Sequence, residues 1–313
     1  MGDKPINLLS LDGGGIRGLS ELYILEEMML RIKYKYKLEK APLPADFFDI
    51  IGGSSTGGFV CAIPQQDVRP PAGPTLFRTY EVGKHKTHNC TIYDACRATS
   101  AEPAYFGPVE IGESYEREKF IGGGVGYNNP IEQVIQEAES VYPGRKVACI
   151  VSIGAGLARE IKFPDSPDMG HPKLSTALMD MARESDTVAE KMEVRFRKAT
   201  ETYFRFSVDR GLDNLNLQEC EDIPNVKTYT TSYARQASIC DKIDTVVHRL
   251  VVSKAQYQAN GSTAVVPLTH HISASRPAVP DQHIKRAELT WHIDDASRPH
   301  FPLNTHDISG NSM

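Results

Sequence analysis

Two short apolar runs each end in a dense cluster of glycines, and this pairing limits the fold more than any other feature of the chain. Ile6 to Leu11 leads through Asp12 into Gly13-Gly14-Gly15-Ile16-Arg17-Gly18, and Phe47 to Ile51 leads into Gly52-Gly53-Ser54-Ser55-Thr56-Gly57-Gly58. A run of this length bounded by glycines reads as a buried strand delivered to a tight turn. After the first turn Leu22, Leu25, Met29, Ile32 and Tyr36 recur at helical spacing, and Pro42 and Pro44 close the segment. Lys146 to Ile153 repeats the pattern of an apolar run closed by glycines, here Gly154-Ala155-Gly156. The sequence thus predicts an α/β protein in which strands near 6–11, 47–52 and 146–153 share one parallel-rich sheet.

The 313 residues suffice for one large domain of this kind. Pro64 to Pro74 reads as loop, Thr75 to Tyr80 as a strand, Leu174 to Lys198 as one amphipathic helix, Tyr203 to Val208 as a strand and Asp241 to Val252 as a helix. From Asp281 onward the chain is rich in His, Pro, Asp and Ser without periodicity, which predicts a poorly ordered tail over 281–313. Lys and Arg number 35 against 40 Asp and Glu, so no basic field exists to hold nucleic acid. Six cysteines without CxxC spacing read as free thiols. The first residues lack a signal-peptide pattern and no apolar run is long enough to span a bilayer, so the expected location is cytoplasmic, at most peripheral on membranes.

Gly53-Ser54-Ser55-Thr56-Gly57 fits G-x-S-x-G in one frame only, which makes Ser55 the candidate nucleophile. A serine on a sharp strand-to-turn corner has crowded backbone, and Gly53 and Gly57 leave room for neighbouring segments and an acyl group. The first cluster, Gly13 to Gly18, admits three uses: a plain turn, an oxyanion hole or a nucleotide site in the G-x-G-x-x-G manner. The acidic ribose partner of a dinucleotide would fall about 20 positions on, among Lys33 to Lys40, where the helix continues. The serine elbow downstream favours the oxyanion hole, with backbone N–H groups supplied by the turn of Gly13, Gly14, Gly15 and Gly18. The ten histidines form no catalytic pattern; His85 and His88 read as solvated loop residues.

Ser10 to Gly18 and Gly52 to Gly58 together resemble the two opening motifs of the patatin-like phospholipase family. The resemblance continues through Ala95 to Phe106, through Gly122-Gly123-Gly124-Val125-Gly126-Tyr127-Asn128-Asn129-Pro130, which is similar to the third motif, and through Val151 to Gly156. It implies a patatin-like core over residues 5–160 and a helical and mixed part of the same domain over 161–280. It further implies a three-layer α/β/α sandwich, a lipid or acyl-ester substrate, a Ser-Asp dyad, and no metal or other cofactor. By the same resemblance Ser55 is the nucleophile, the N–H groups of Gly14 and Gly15 with Arg17 stabilise the oxyanion, and position 122 is that of the general base.

Two departures from that pattern stand out. The third motif begins with Gly122 where the family has aspartate, and glycine cannot accept a proton. Loss of general-base assistance is expected to cost about 10² to 10⁴ in rate. No carboxylate inside the motif replaces it, since Glu118 precedes it and Glu132 follows Pro130. The interval between Ser55 and Gly122 is also short. Phe59 to Ile63 reads as a strand joined directly to the elbow, where a helix is expected to back the serine. The sequence therefore predicts an impaired lipid acyl hydrolase, with an inactive acyl-binding module and, more remotely, a nucleotide-binding α/β protein as alternatives.

Overall fold

The computed structural model describes residues 4–57, 61–64, 74–80, 90–157 apart from 104, 114 and 116, 172–212, 215 and 223–259, all within one compact unit, Met1–Val266. Strand β1 (Ile6–Leu11) is buried along its whole length and runs through the 3₁₀ turn Gly15–Gly18 into helix α1 (Leu19–Tyr36). Strand β2 (Ile50–Gly53) returns beside β1 and ends at a second 3₁₀ turn, Ser55–Gly57. Then come β3 (Cys61–Pro64), β4 (Thr75–Leu76), α2 (Ile92–Thr99), β5 (Val109–Ile111), β6 (Glu118–Gly122), the kinked turn α3 (Gly124–Tyr127), α4 (Ile131–Val141) and β7 (Val147–Gly154). Helices α5 (Pro172–Ala182) and α6 (Asp186–Phe196), β8 (Tyr203–Ser207), α7 (Ile223–Ala234) and α8 (Ala237–Ala259) follow.

Strands β2-β1-β7-β8 form a wholly parallel sheet, with Leu11 opposite Gly53 and Ile153. The alternation of side chains along β1 divides the core in two. Leu9 and Leu11 face Ile24, Leu25, Met28, Met29 and Ile32 of α1 together with α7 and α8, whereas Ile6 and Leu8 face Ile131, Val134 and Ile135 of α4 and Met192 of α6. This is the α/β/α layering. Each fully buried Leu or Ile contributes about 1.5 to 3 kcal/mol, so a strand buried on both faces is an anchor of the fold. Helix α1 connects β1 to β2 on one face, and the chain reaches β7 through α4 on the other. The sheet order therefore reverses at β1, and the C-terminal end of β1 lies at the switch point where ligands of α/β sheets commonly bind.

A smaller antiparallel sheet, β4-β3-β6-β5, pairs Ala62 with Gly122 and Val109 with Phe120. Helix α2 packs on it through Ala95 and Ala98 beside Phe77 and Phe120. That helix starts at a reciprocal cap, in which Thr91 Oγ1 accepts from the Asp94 N–H and the Asp94 carboxylate accepts from the Thr91 N–H. Its far end delivers Thr99.

Several expectations hold and several need correction. Of the strand expected over Phe59 to Ile63, the described residues form strand at Cys61–Pro64, and 59–60 lie outside the described residues. In α1 the buried stripe is Ile24, Leu25, Met28, Met29 and Ile32, while Leu22 and Tyr36 are 44% and 39% exposed; the actual stripe includes the adjacent pairs 24/25 and 28/29, which a reading by single positions passes over. The helix expected over 174–198 is two helices, broken at Arg183 to Ser185 without proline or glycine. Here tertiary contacts described below win over local propensity. Only Thr75–Leu76 of the strand expected at 75–80 is regular. Cys90, Cys96, Cys149 and Cys240 are free thiols. The expected tail at 281–313 and both His85 and His88 lie outside the described residues. No described helix is long and apolar enough to cross a membrane.

Glu21, in the first turn of α1, is fully buried, and neither carboxylate oxygen has a hydrogen-bond partner. Burial pushes its carboxyl well above the usual range, Asp12 adds to the rise and Arg205 opposes it. A carboxyl with a raised folded-state value stabilises the fold below the unfolded value and loses that contribution as pH rises. Glu21→Leu is therefore expected to be more stable than the parent at pH 8. Its advantage should shrink toward pH 4, by at most about 1.4 kcal/mol per pH unit in the titrating range. Thermal melts at pH 4, 6 and 8 check this; an advantage independent of pH would contradict it.

Candidate active site

Ser55 sits just beyond the C-terminal end of β2 with φ +50°, a left-handed conformation rare for a serine. Holding a non-glycine residue there costs of order 1 kcal/mol or more and persists only where the surroundings fix it. Here they do: the Ser55 N–H donates to Thr99 Oγ1 at 2.9 Å and the Gly57 N–H to the Ser54 carbonyl at 2.9 Å. Gly57 packs so closely on the Asp12 backbone that any Cβ would collide with it. Gly53, paired with Leu11, lets β2 end there.

The first glycine cluster stands directly against this corner. A Cβ built on Gly13 would lie 3.2 Å from Ser55 Cβ and would collide with Asn128 Oδ1, and the Gly13 N–H donates to the Asn128 carbonyl at 2.9 Å. Gly14 N–H reaches Thr56 Oγ1 at a long 3.3 Å, and Gly18 lies against the same threonine. Gly15 has φ +54°, and Arg17 is half-buried in the turn. The turn and the elbow are thus one interlocked unit joined through Thr56.

Gly122 is buried at the end of β6. Its N–H donates to the Ala101 carbonyl at 2.8 Å and that of Gly123 to the Thr99 carbonyl at 3.1 Å. A Cβ at 122 would stand 3.1 Å from Thr99 O, Ala101 C and Glu102 N. Thr99 therefore touches both Ser55 and position 122. The structure brings all three motifs together.

Behind the glycine turn lies a buried ion pair. Both oxygens of Asp12 accept from Arg205, at 3.0 and 2.6 Å, and Arg205 also donates to Ser152 Oγ. Burial pushes the Asp12 carboxyl up while Arg205 pulls it down. Burial likewise works against the charge on Arg205, and Asp12 more than reverses that, holding its pKa above the usual arginine range. With both carboxylate oxygens taken by a guanidinium fork, the pair is ionised.

Three residues here had no role in the sequence reading although they lie in stretches it singled out: Thr99, Asn128 and Glu102. Glu102 Oε1 accepts from Arg183 at 3.1 Å, and Oε2 lies 2.8 Å from where a Cβ on Gly124 would stand. The third motif contains no replacement carboxylate, yet the fold brings one to it from the segment after α2. The α5–α6 corner explains the broken helix: Arg183 takes Glu102, the Ser185 carbonyl accepts from Asn129, and Asp186 approaches Arg205 at 3.9 Å. Among the described residues no group of three His, Cys, Asp or Glu is placed to hold a metal ion.

The family model for patatin-like phospholipases matches residues 65–135, a span that holds Glu102 and Gly122. Over that span the chain is similar to the patatin-like phospholipases. It is 41% identical over 71 residues to patatin group M-2 of Solanum tuberosum, covering 22% of this chain and 18% of that one, and 39% identical over 71 residues to patatin-B1 of the same species. Its match to patatin-like protein 2 of Arabidopsis thaliana is 25% identical over 221 residues, 44% of this chain and 54% of the relative. The chain thus spans about half the length of that relative and less of the potato proteins. A span of 221 positions that takes in only 44% of this chain means that the relative carries residues within it that this chain lacks.

Proposed function

We propose that the chain is a hydrolase of lipid acyl esters in which Ser55 is the nucleophile and the base position at Gly122 is vacated. The observation that carries this is the left-handed Ser55 corner packed against Gly13 at the C-terminal ends of β1 and β2. Ser55 Oγ attacks the acyl carbonyl, and the oxyanion that forms is received by the N–H groups of Gly14 and Gly15 with Arg17. The long Gly14 to Thr56 contact is weak enough for an oxyanion to replace it. Such donors are typically worth 10² to 10³ each. The alcohol leaves, and water then releases the acyl group from Ser55.

The absence of a side chain at 122 favours a second reading, in which the protein binds an acyl chain without turning it over. A nucleotide site has no such support, because the segment holding Lys33 and Lys35 continues α1 and offers no acid at a strand end. The two remaining readings separate on one measurement. A fluorophosphonate is expected to modify Ser55 and nothing else, as located by peptide mass spectrometry, and Ser55→Ala is expected to abolish labelling and any hydrolysis of a short nitrophenyl ester. An unlabelled parent protein removes Ser55 as nucleophile and leaves acyl binding, which a fluorescent fatty acid titration would detect.

A further inference from the structure

The carboxylate of Glu102 occupies a place that a salt bridge alone does not explain. Its two oxygens face different ways. Oε1 is held by Arg183, whereas Oε2 is turned toward the bare flank of Gly124, next to Asn128 Oδ1, which lies 3.5 Å from the same built Cβ position. Asn128 in turn stands against Gly13, and Gly13 against Ser55. The row therefore runs from the Glu102 carboxylate, past the open side of Gly124, to the Asn128 carboxamide and on to the serine. Glycines at 124 and 13 keep it open, since a side chain at either would meet Glu102 or Asn128. Glu102 is also near the position left empty, with its own N–H nitrogen 3.1 Å from where a Cβ at 122 would stand. Its side chain is only 12% exposed, so a charge here is held by the fold and is not a solvated surface acid.

Resting on the hydrolase reading above, we propose that Glu102 is the proton acceptor of this site, acting on Ser55 through one water beside Asn128. A general base can act through one bridging water as well as directly. As the bond from Ser55 Oγ to the acyl carbon forms, the hydroxyl proton passes to the water and a water proton passes to Glu102 Oε2. The carbonyl electron pair moves to the oxygen facing the glycine turn. When the adduct collapses, the proton returns by the same path to the leaving alkoxide. Arg183 fixes the carboxylate through Oε1 and leaves Oε2 for this task, and Tyr105, with its ring 5.3 Å from the guanidinium, holds Arg183 in turn. The acid has thus moved from the third motif to the segment that packs on it.

The test is the rate at which a fluorophosphonate modifies Ser55 in the full chain. This step needs an activated serine but no release of product. Glu102→Gln, which keeps size and most packing, is expected to slow labelling about tenfold or more. Glu102→Ala is expected to be slowed similarly and to recover when formate is added, because a small carboxylate can fill the space left. Arg183→Gln, which breaks the same ion pair but keeps the carboxylate, is expected to lose less and not to respond to formate. Near-ultraviolet circular dichroism checks that each variant is folded. Equal labelling of Glu102→Gln and the parent, a loss as large in Arg183→Gln, or no response of Glu102→Ala to formate would each show that the pair only ties the α5–α6 corner down. Labelled Ser55 with indifferent Glu102 overturns this proposal alone, whereas an unlabelled parent overturns the hydrolase reading and this proposal with it.

Discussion

Gly122→Asp is expected to raise ester hydrolysis, by less than the full worth of a positioned general base, about 10²- to 10⁴-fold, because Glu102 already supplies part of that assistance. Thr99 contacts both position 122 and Ser55, so the expected gain rests on a carboxylate at 122 extending past Thr99 toward the serine. The structure also states what opposes the gain. A Cβ at 122 meets three backbone atoms of the 99–102 segment at 3.1 Å, so that segment must yield by a few tenths of an ångström. Inserting atoms into a packed site of this kind costs about 1 to 3 kcal/mol of stability. The carboxylate also faces the Thr99 carbonyl and the nearby Glu102, both unfavourable to a second negative charge. The gain should therefore appear in turnover while the melting temperature falls. Gly122→Asn, equal in size but unable to act as base, is expected to show the loss of stability without the gain. Adding Ser55→Ala should return Gly122→Asp to background. A folded Gly122→Asp protein no faster than its parent, or a gain that survives loss of Ser55, would remove the dyad from these two positions.

The local parts of this architecture were legible in the sequence, and the parts that depend on tertiary docking were not. Ile6 to Leu11 and Val147 to Ile153 are apolar without alternation, which only a strand covered on both faces requires, and the glycine clusters mark where each must turn. That places Ser55 and Gly13 at adjacent strand ends before any coordinate is known. The role of Glu102 has no such signature. It follows α2 by three residues and meets Gly124 because the Gly122 and Gly123 N–H groups bond to the Ala101 and Thr99 carbonyls, so its meaning depends on how the end of α2 docks on the end of β6. The break at Arg183 to Ser185 is hidden for the same reason. Its cause is a set of polar partners on Glu102, Asn129 and Arg205, while its own residues would continue a helix.

Arg205→Met is expected to destabilise the protein by about 3 to 5 kcal/mol, the cost of leaving one member of a buried ion pair without its partner. Three independent contacts fix the end of β1 at Asp12: its N–H donates to the Ile153 carbonyl at 3.0 Å, Gly57 packs on its backbone, and the Arg205 fork holds both carboxylate oxygens. Arg205 extends that clamp across the sheet to Ser152 and toward Asp186 at the start of α6. The next residue after Asp12 is Gly13, so whatever orients Asp12 also orients the turn that faces Ser55. Replacing both partners, as Asp12→Asn with Arg205→Met, leaves no buried charge and is expected to recover much of the stability without restoring the turn. Urea unfolding of the parent, the Arg205→Met variant and the double variant measures the coupling, and Ser55 labelling of each measures the function. If the double variant recovers both, the pair matters only through the charge it buries. Recovery of stability with labelling still slowed is the expected result, because the position of Gly13 depends on the directed fork that only arginine supplies.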